Sequence, residues 1–302
     1  MSNKTEFRGE LVRDIYTAKS ATGQPVISFE FFPPKTPEGD HNLLEKTIPA
    51  LMLAKPDYCS VTYGAGGSTR EKTLMIVDRI QKQHGLTAVA HLTCVSATKE
   101  EIRVLLEQIR ALGVRNVLAL RGDPPGGGAF TMTPGGFEYS NQLVEFIREF
   151  DHFSIGVAGF PEGHVACKAG KHVDWGYLKN KINAGADYVL TQLFFDNADF
   201  YEFRDYLREQ GVTAPIVPGI VPILNANQIK RFTAMCGARI PVPLAAELDA
   251  IGDDEAAATE FGIEYATKQC EDLLSNGAPG IHFYTLNKAH STVRVLKNLG
   301  LA

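Results

Sequence analysis

Eight short runs rich in Val, Ile, Phe, Tyr and Leu recur along the chain, each separated from the next by a segment with helical signals. The runs are 26–33 (VISFEFFP), 58–64 (YCSVTYG), 87–94 (TAVAHLTC), 116–122 (NVLALRG), 154–160 (SIGVAGF), 188–195 (YVLTQLFF), 216–222 (IVPGIVP) and 280–287 (GIHFYTLN). Near-continuous apolar runs of this length suit parallel strands covered on both faces, not the strict alternation of a half-wet sheet. The intervening segments carry helix start and stop signals: Ser68 with Glu71, Thr98 with Glu101, and caps at Asp199 and Asn225, with Gly85 and Gly113 as stops. Eight strand–helix units in 302 residues predict an α/β chain folded as a single (β/α)8 TIM barrel. The expected domain spans 1–302, with 1–24 as an N-terminal helical lead-in and an extra helix in the long interval before the last strand. A doubly wound open sheet is the alternative fold.

Composition narrows the functional class. A net charge of −5 and the absence of a basic stripe argue for no nucleic acid partner and no membrane surface. The start, MSNKTEFRGELVRDIY, is charged throughout and does not read as a secretory signal. Five scattered cysteines without a CxxC pair fit a reducing, cytoplasmic setting better than a disulfide framework or structural zinc. A small-molecule enzyme is the leading class.

In (β/α)8 barrels chemistry gathers at the carboxyl ends of the strands. The polar residues of this chain fall there: Glu30 in the first run, Thr62 and Tyr63 in the second, His91 in the third, Arg121 and Asp123 in the fourth. His164 follows the fifth run, Gln192 lies late in the sixth, and Lys288 follows the eighth. Each also has a structural reading. Glu30 can pair with a barrel Arg or Lys, His91 can be a satisfied core histidine, and Gln192 can cap a loop. Gln228 can complete a cap begun by Asn225, Phe232 can be core, and Lys181 can be a solvated helix lysine. LALRGDPPGGG is harder to explain structurally, because Gly122 permits a sharp turn and close ligand approach between a fixed cation and a carboxylate. YGAGGST is a weak phosphate-cradle signal, and a tight turn before a helix explains it equally well. A metallohydrolase barrel, a Schiff-base aldolase and a GxSxG hydrolase are all disfavoured by the missing ligand spacing, strand lysine and nucleophile elbow.

SFEFFPP, SVTYGAGG, AHLTC, LALRGDPP, TQLFFD, PGIVPI and HFYTLN, in this order, strongly resemble the methylenetetrahydrofolate reductases over about 26–290. The resemblance implies a flavoprotein that reduces 5,10-methylenetetrahydrofolate to 5-methyltetrahydrofolate with FAD and NADH or NADPH. The two substrates would take turns in one shared pocket, in ping-pong fashion. It implies the short bacterial form, without the regulatory domain of eukaryotic relatives, and we expect a cytoplasmic homo-oligomer. Glu30 matches the family's general acid, and its apolar neighbours predict a raised pKa that keeps it protonated. Asp123 matches the aspartate near flavin and pterin. Gln192, Gln228 and Phe232 match substrate positions, and Lys288 stands where Arg is usual, at the folate tail. Thr62, Tyr63, His91, Leu120, Arg121, Gly122, Tyr139, Ser140, His164, Asp174 and Lys181 match positions that hold FAD, with Phe160 standing where Tyr is common. The rival readings are a flavin-free pterin-binding methyltransferase barrel and a non-catalytic folate-binding barrel.

Overall fold

A computed structural model describes residues 9–302 except 65–68, 125–127 and 129. Its eight strands are all parallel and close in chain order, β1 pairing with β8. They are β1 (Val26–Phe31), β2 (Tyr58–Val61), β3 (Thr87–Thr93), β4 (Asn116–Leu120), β5 (Ser154–Gly159), β6 (Tyr188–Leu193), β7 (Ile216–Ile220) and β8 (Gly280–Tyr284). Every strand begins at the predicted residue and stops one to three residues before the predicted end. The regular ladder ends at the barrel rim, although single backbone bonds such as Thr62 N to Phe31 O and Val95 N to Arg121 O continue past it, and apolar content alone does not mark that point. Pro33 and Pro34 help to end β1, since a proline removes a ladder donor and holds the preceding residue extended.

The twofold alternation of a strand sorts its side chains into wall and interior. Phe29, Phe31, Cys59, Val61, Ile281 and Phe283 face outward into the main core beneath the helices. In the interior, Ser28 stands in register with Tyr58 on one side and His282 on the other, and Glu30 stands with Ser60 and Tyr284 one layer higher. The helix α1 (Val12–Thr22) closes the floor, packing Val12, Ile15 and Tyr16 against Tyr58, Val89, Leu118 and Tyr188. Asn116 ties it in place by accepting from Val12 N at 2.8 Å and donating to Glu10 O at 2.8 Å.

The helices between strands are α2 (Pro37–Asn42), α3 (Ile48–Met52), α4 (Arg70–His84), α5 (Lys99–Ala111), α6 (Ser140–Arg148), α7 (Lys171–Asn183) and α8 (Asn197–Glu209). A π-helical stretch, Leu43–Thr47, joins α2 to α3. The Thr98–Glu101 capping box forms as expected, whereas Asp196, not Asp199, caps α8 by accepting from Ala198 N. The expected cap at Ser68 lies outside the described residues. Before β8 the chain makes α9 (Ala226–Cys236), α10 (Val242–Ile251) and α11 (Glu255–Ser275), and α12 (His290–Asn298) follows. Helix α11 packs on the barrel wall through Ile263, Ala266, Cys270 and Leu273. Helices α9 and α10 instead share a separate cluster with Leu193, Phe195, Val221 and Ile223, which holds α9 against the rim.

Candidate active site

Glu30 is the centre of the interior chemistry. Its Oε2 lies 3.3 Å from His91 Nε2, 3.5 Å from His282 Nε2 and 3.4 Å from Ser60 Oγ, which donates to it. The His91 contact is at charge-pairing distance but off hydrogen-bond alignment, so that buried nitrogen has no aligned partner among the described residues. Burial by itself raises the Glu30 carboxyl, but the hydrogen bond from His282 and the charge of His91 outweigh it and hold the group low, at about 2. This reverses the expectation of a raised pKa. The aromatic neighbours Phe29 and Phe31 point to the wall and not to the carboxyl, and two imidazoles from other strands meet it instead. The contribution of ionised Glu30 to stability is present above the ordinary carboxylate range and fades as pH falls toward about 2.

A second group collects around the ends of β4 and β5. Lys181 reaches from α7 to donate to Ala158 O at 2.9 Å and has no ion pair within 4 Å among the described residues. Burial pushes its ammonium down to about 8; Asp174 opposes that shift and Arg121 adds to it. Asp174, in the first turn of α7, accepts from His164 N at 3.2 Å, and burial raises its carboxyl. Burial lowers His164, which feels Asp174, Arg121, Asp123 and Lys181, so these five groups share one field. The Phe160 ring packs edge-on to His164 at 4.6 Å, and its carbonyl accepts from Trp175 at 2.9 Å. Arg121 lies over the Phe130 ring at 5.0 Å. Tyr139, at the start of α6 beside Ser140, is exposed, and the neighbouring Glu138 raises its phenol. Gly122 has φ +83, and a Cβ there would meet Val95 at 2.6 Å and Thr93 at 2.9 Å. Only glycine therefore brings Arg121 and Asp123 around this turn without displacing β3.

The remaining predicted residues lie on the same rim with fewer mutual contacts. The Thr62 carbonyl accepts from Thr73 Oγ1 at 2.8 Å, and Tyr63 Oη accepts from Arg70 Nε at 2.7 Å. Leu120 ends β4, and its carbonyl accepts from Cys94 N at 3.2 Å. Gln192 and Phe160 line a small cleft with Cys236, Gly237 and Ala238, so the end of α9 meets the β5 and β6 ends. Asn225 caps α9 by accepting from the Gln228 backbone N–H at 2.9 Å, but the Gln228 side chain does not close a capping box, and Phe232 is partly buried in the α9–α10 cluster. Lys288 is exposed beyond β8, and among the described residues its hydrogen bond is made by the backbone, to Thr285 O. Two groups escaped sequence reasoning. His282 was legible through the twofold period of GIHFY, which puts it in phase with the inward Tyr284. Arg239, just beyond α9, donates to Asp199 at 2.8 Å and through its backbone to Glu162 at 3.0 Å, fastening the end of α9 to the loop after β5 and the first turn of α8. No local pattern announces that contact.

The donor set around Lys181 and Arg121 suits a ligand with phosphates, since a partly buried cation whose hydrogen-bond acceptor among the described residues is a carbonyl is stabilised by an anion. Among the described residues no cluster of His, Cys, Asp and Glu could hold a metal ion. A closed eight-strand barrel, an inward acid and a cationic rim define a (β/α)8 barrel with its candidate active site at the strands' carboxyl ends. The model of one family, methylenetetrahydrofolate reductase, matches residues 15–300, and the chain belongs to that family. It is 43% identical over 296 residues to methylenetetrahydrofolate reductase (NADH) 1 of Arabidopsis thaliana, covering 94% of this chain and 50% of that one. It is 38% identical over 280 residues to the 5,10-methylenetetrahydrofolate reductase of Escherichia coli K12, covering 92% of each. The chain thus spans about half the length of the plant relatives it matches. A solved Clostridium thermocellum protein, described as binding two copies of 5-methyl-5,6,7,8-tetrahydrofolic acid, superposes with a TM-score of 0.62. That comparison covers 95% of this chain and 97% of that one at 16% identity, and it bears on the fold alone.

Proposed function

We propose that this chain reduces 5,10-methylenetetrahydrofolate to 5-methyltetrahydrofolate with electrons from NADH, using FAD and one pocket that both substrates occupy in turn. The observation that carries this reading is Glu30: an acid inside the barrel, braced by two imidazoles, below a rim where Arg121 and Lys181 form no ion pair within 4 Å among the described residues. The (NADH) in the names of the plant relatives supports the choice of nicotinamide.

FAD, when bound, supplies a two-electron carrier between the nicotinamide and the folate. Arg121 and Lys181 would hold its pyrophosphate, His164 and Asp174 would fix the loop beneath it, and Gly122 keeps Asp123 at the rim. Tyr139, Ser140, Thr62, Tyr63, Leu120 and Phe160 would complete that wall. Gln192, Gln228 and Phe232 would hold the alternating substrate, and Lys288 would meet the folate carboxylates as a point charge.

Glu30 would act on the folate's departing ring nitrogen. The five-membered ring opens to an iminium only when that nitrogen takes a proton. In the open site the carboxyl is ionised. A pterin lying over it removes the remaining water, and this desolvation favours the neutral acid. Proton uptake at Glu30 would therefore accompany folate binding, preparing the group to donate.

Three outcomes check these assignments. Incubation with NADH and methylenetetrahydrofolate should yield 5-methyltetrahydrofolate. No methyl product would refute the activity. FAD binding at about pH 8.5 should take up protons, because an anion restores charge to Lys181. Calorimetry in buffers of different ionisation enthalpy reads this, and zero uptake would separate Lys181 from the pyrophosphate. Lys288→Ala should raise the folate KM by about tenfold, the worth of one exposed charged contact, without altering the NADH half-reaction. An unchanged folate KM would remove Lys288 from the tail site.

A further inference from the structure

The last apolar run, GIHFYTLN, ends in two polar side chains, Thr285 and Asn287, to which the reaction as described gives no task. Both reach across to the end of β1. Thr285, buried just past β8, donates from Oγ1 to the Glu30 carbonyl at 2.7 Å. Asn287 takes both main-chain groups of Phe32, the first residue beyond β1. Its Oδ1 accepts from Phe32 N at 3.1 Å, and its Nδ2 donates to Phe32 O at 2.7 Å. The β1–β8 register runs only as far as Glu30 and Tyr284. A single side-chain amide therefore carries the pairing of the two chains one step further.

The backbone is bent to bring that amide into place. Lys288 N donates to Thr285 O at 2.9 Å and closes a turn whose central residues, Leu286 and Asn287, have φ values of 50° and 56°. Such a turn suits glycine and asparagine, and leucine enters it under strain. The turn is also fastened from outside and from within. Thr47, at the end of the π-helical stretch, donates to Asn287 O at 3.1 Å, and Asn287 N donates to Thr285 Oγ1 at 3.2 Å. Asparagine meets every demand of the position: it tolerates the left-handed backbone, accepts from an N–H and donates to a carbonyl. Aspartate would set a charged acceptor against the Phe32 carbonyl, and glycine would hold nothing.

We infer that Asn287 is a positioning residue for proton transfer, clamping the chain two residues beyond Glu30 so that the carboxyl stays under the folate nitrogen. This rests on the reading of Glu30 as proton donor. A donor works only within hydrogen-bond reach of the atom that it serves. On the β8 side Glu30 is the last paired residue of its strand. Among the described residues, the hydrogen bonds that tie the chain past that pair to the β8 loop are those of Thr285 and Asn287. Strained backbone gathers where the surrounding structure needs one exact geometry, and the Leu286–Asn287 turn meets that description beside the acid.

Asn287→Gly removes the clamp and keeps the turn, because glycine accepts positive φ readily. The flavin-loaded variant should show a folate-driven half-reaction slowed about tenfold at saturating folate, short of the ~10²-fold that a full 1 Å displacement can cost. Half-saturation by folate should not move, since the turn that carries Lys288 stays closed, and the NADH half-reaction should match the parent. By NMR the Phe32 amide should exchange about tenfold faster, the worth of one hydrogen bond. Asn287→Asp keeps the acceptor for that amide, so its protection should remain while the folate half-reaction still slows. Equal slowing of both half-reactions, or a change in folate half-saturation alone, would overturn the inference. Added to Glu30→Gln, Asn287→Gly should cost nothing more, and a further tenfold loss would show that it does not act through Glu30. The two levels separate cleanly. A parent-like folate rate in Glu30→Gln would refute the donor reading, whereas a slow Glu30→Gln beside a parent-like Asn287→Gly would refute the clamp alone.

Discussion

Replacing Glu30 with Gln should leave FAD content and the NADH-driven half-reaction intact and slow the folate-driven half-reaction by about 10²–10⁴-fold, the usual contribution of a positioned proton donor. Glutamine fills the same volume, and its carbonyl can still accept from Ser60 and His282, so the layer formed with Ser60 and Tyr284 should survive. What it lacks is a transferable proton. The asymmetry between the half-reactions is the informative part, because a misfolded pocket would slow both. Rapid mixing of the pre-reduced variant with folate reads the loss directly. A parent-like rate would remove Glu30 from proton transfer and leave it as a structural partner of His91 and His282.

Lys181→Met should weaken FAD by about 10–100-fold, the worth of one charge-assisted hydrogen bond, while the flavin-free fold becomes no less stable. The two effects have opposite origins. In the flavin-free protein the ammonium sits among buried groups with one carbonyl for company, and burial has already pushed its pKa down to about 8. Methionine fills similar space without that desolvation cost. With the cofactor bound, the same ammonium meets an anion and the balance reverses. Flavin fluorescence titration and thermal unfolding of the flavin-free protein measure the two sides. A variant that binds FAD normally, or whose flavin-free form is clearly destabilised, would make Lys181 a structural lysine.

The barrel was legible because its signal is repeated eight times: each apolar run begins where its strand begins, and the inward polar residues fall late in their runs. Strand ends were less legible, since Phe32, Tyr63, Phe160 and Phe195 remain apolar after the ladder has ended. The position of Glu30 was readable, but its electrostatics were not. The local sequence surrounds it with phenylalanines that alternation sends to the wall, while the groups that set its charge arrive from β3 and β8. His91 and His282 are 61 and 252 residues away in the chain, and only barrel closure brings them to one carboxyl. The same reasoning explains Arg239, whose partners lie after β5 and in the first turn of α8, and the Tyr58–Ser28–His282 layer, which exists only in the closed register. Cap positions erred where two candidates compete, as at Asp196 and Asp199, because both can reach the first turn of α8.

The central claim is that one pocket carries electrons from NADH to a folate by way of a bound flavin. An anaerobic titration of the purified protein tests it most directly. The protein should be yellow, NADH should bleach the flavin absorbance, and methylenetetrahydrofolate added afterwards should restore it with formation of 5-methyltetrahydrofolate. A correctly folded protein that takes up no FAD, or a bleached protein that the folate fails to reoxidise, would contradict the account.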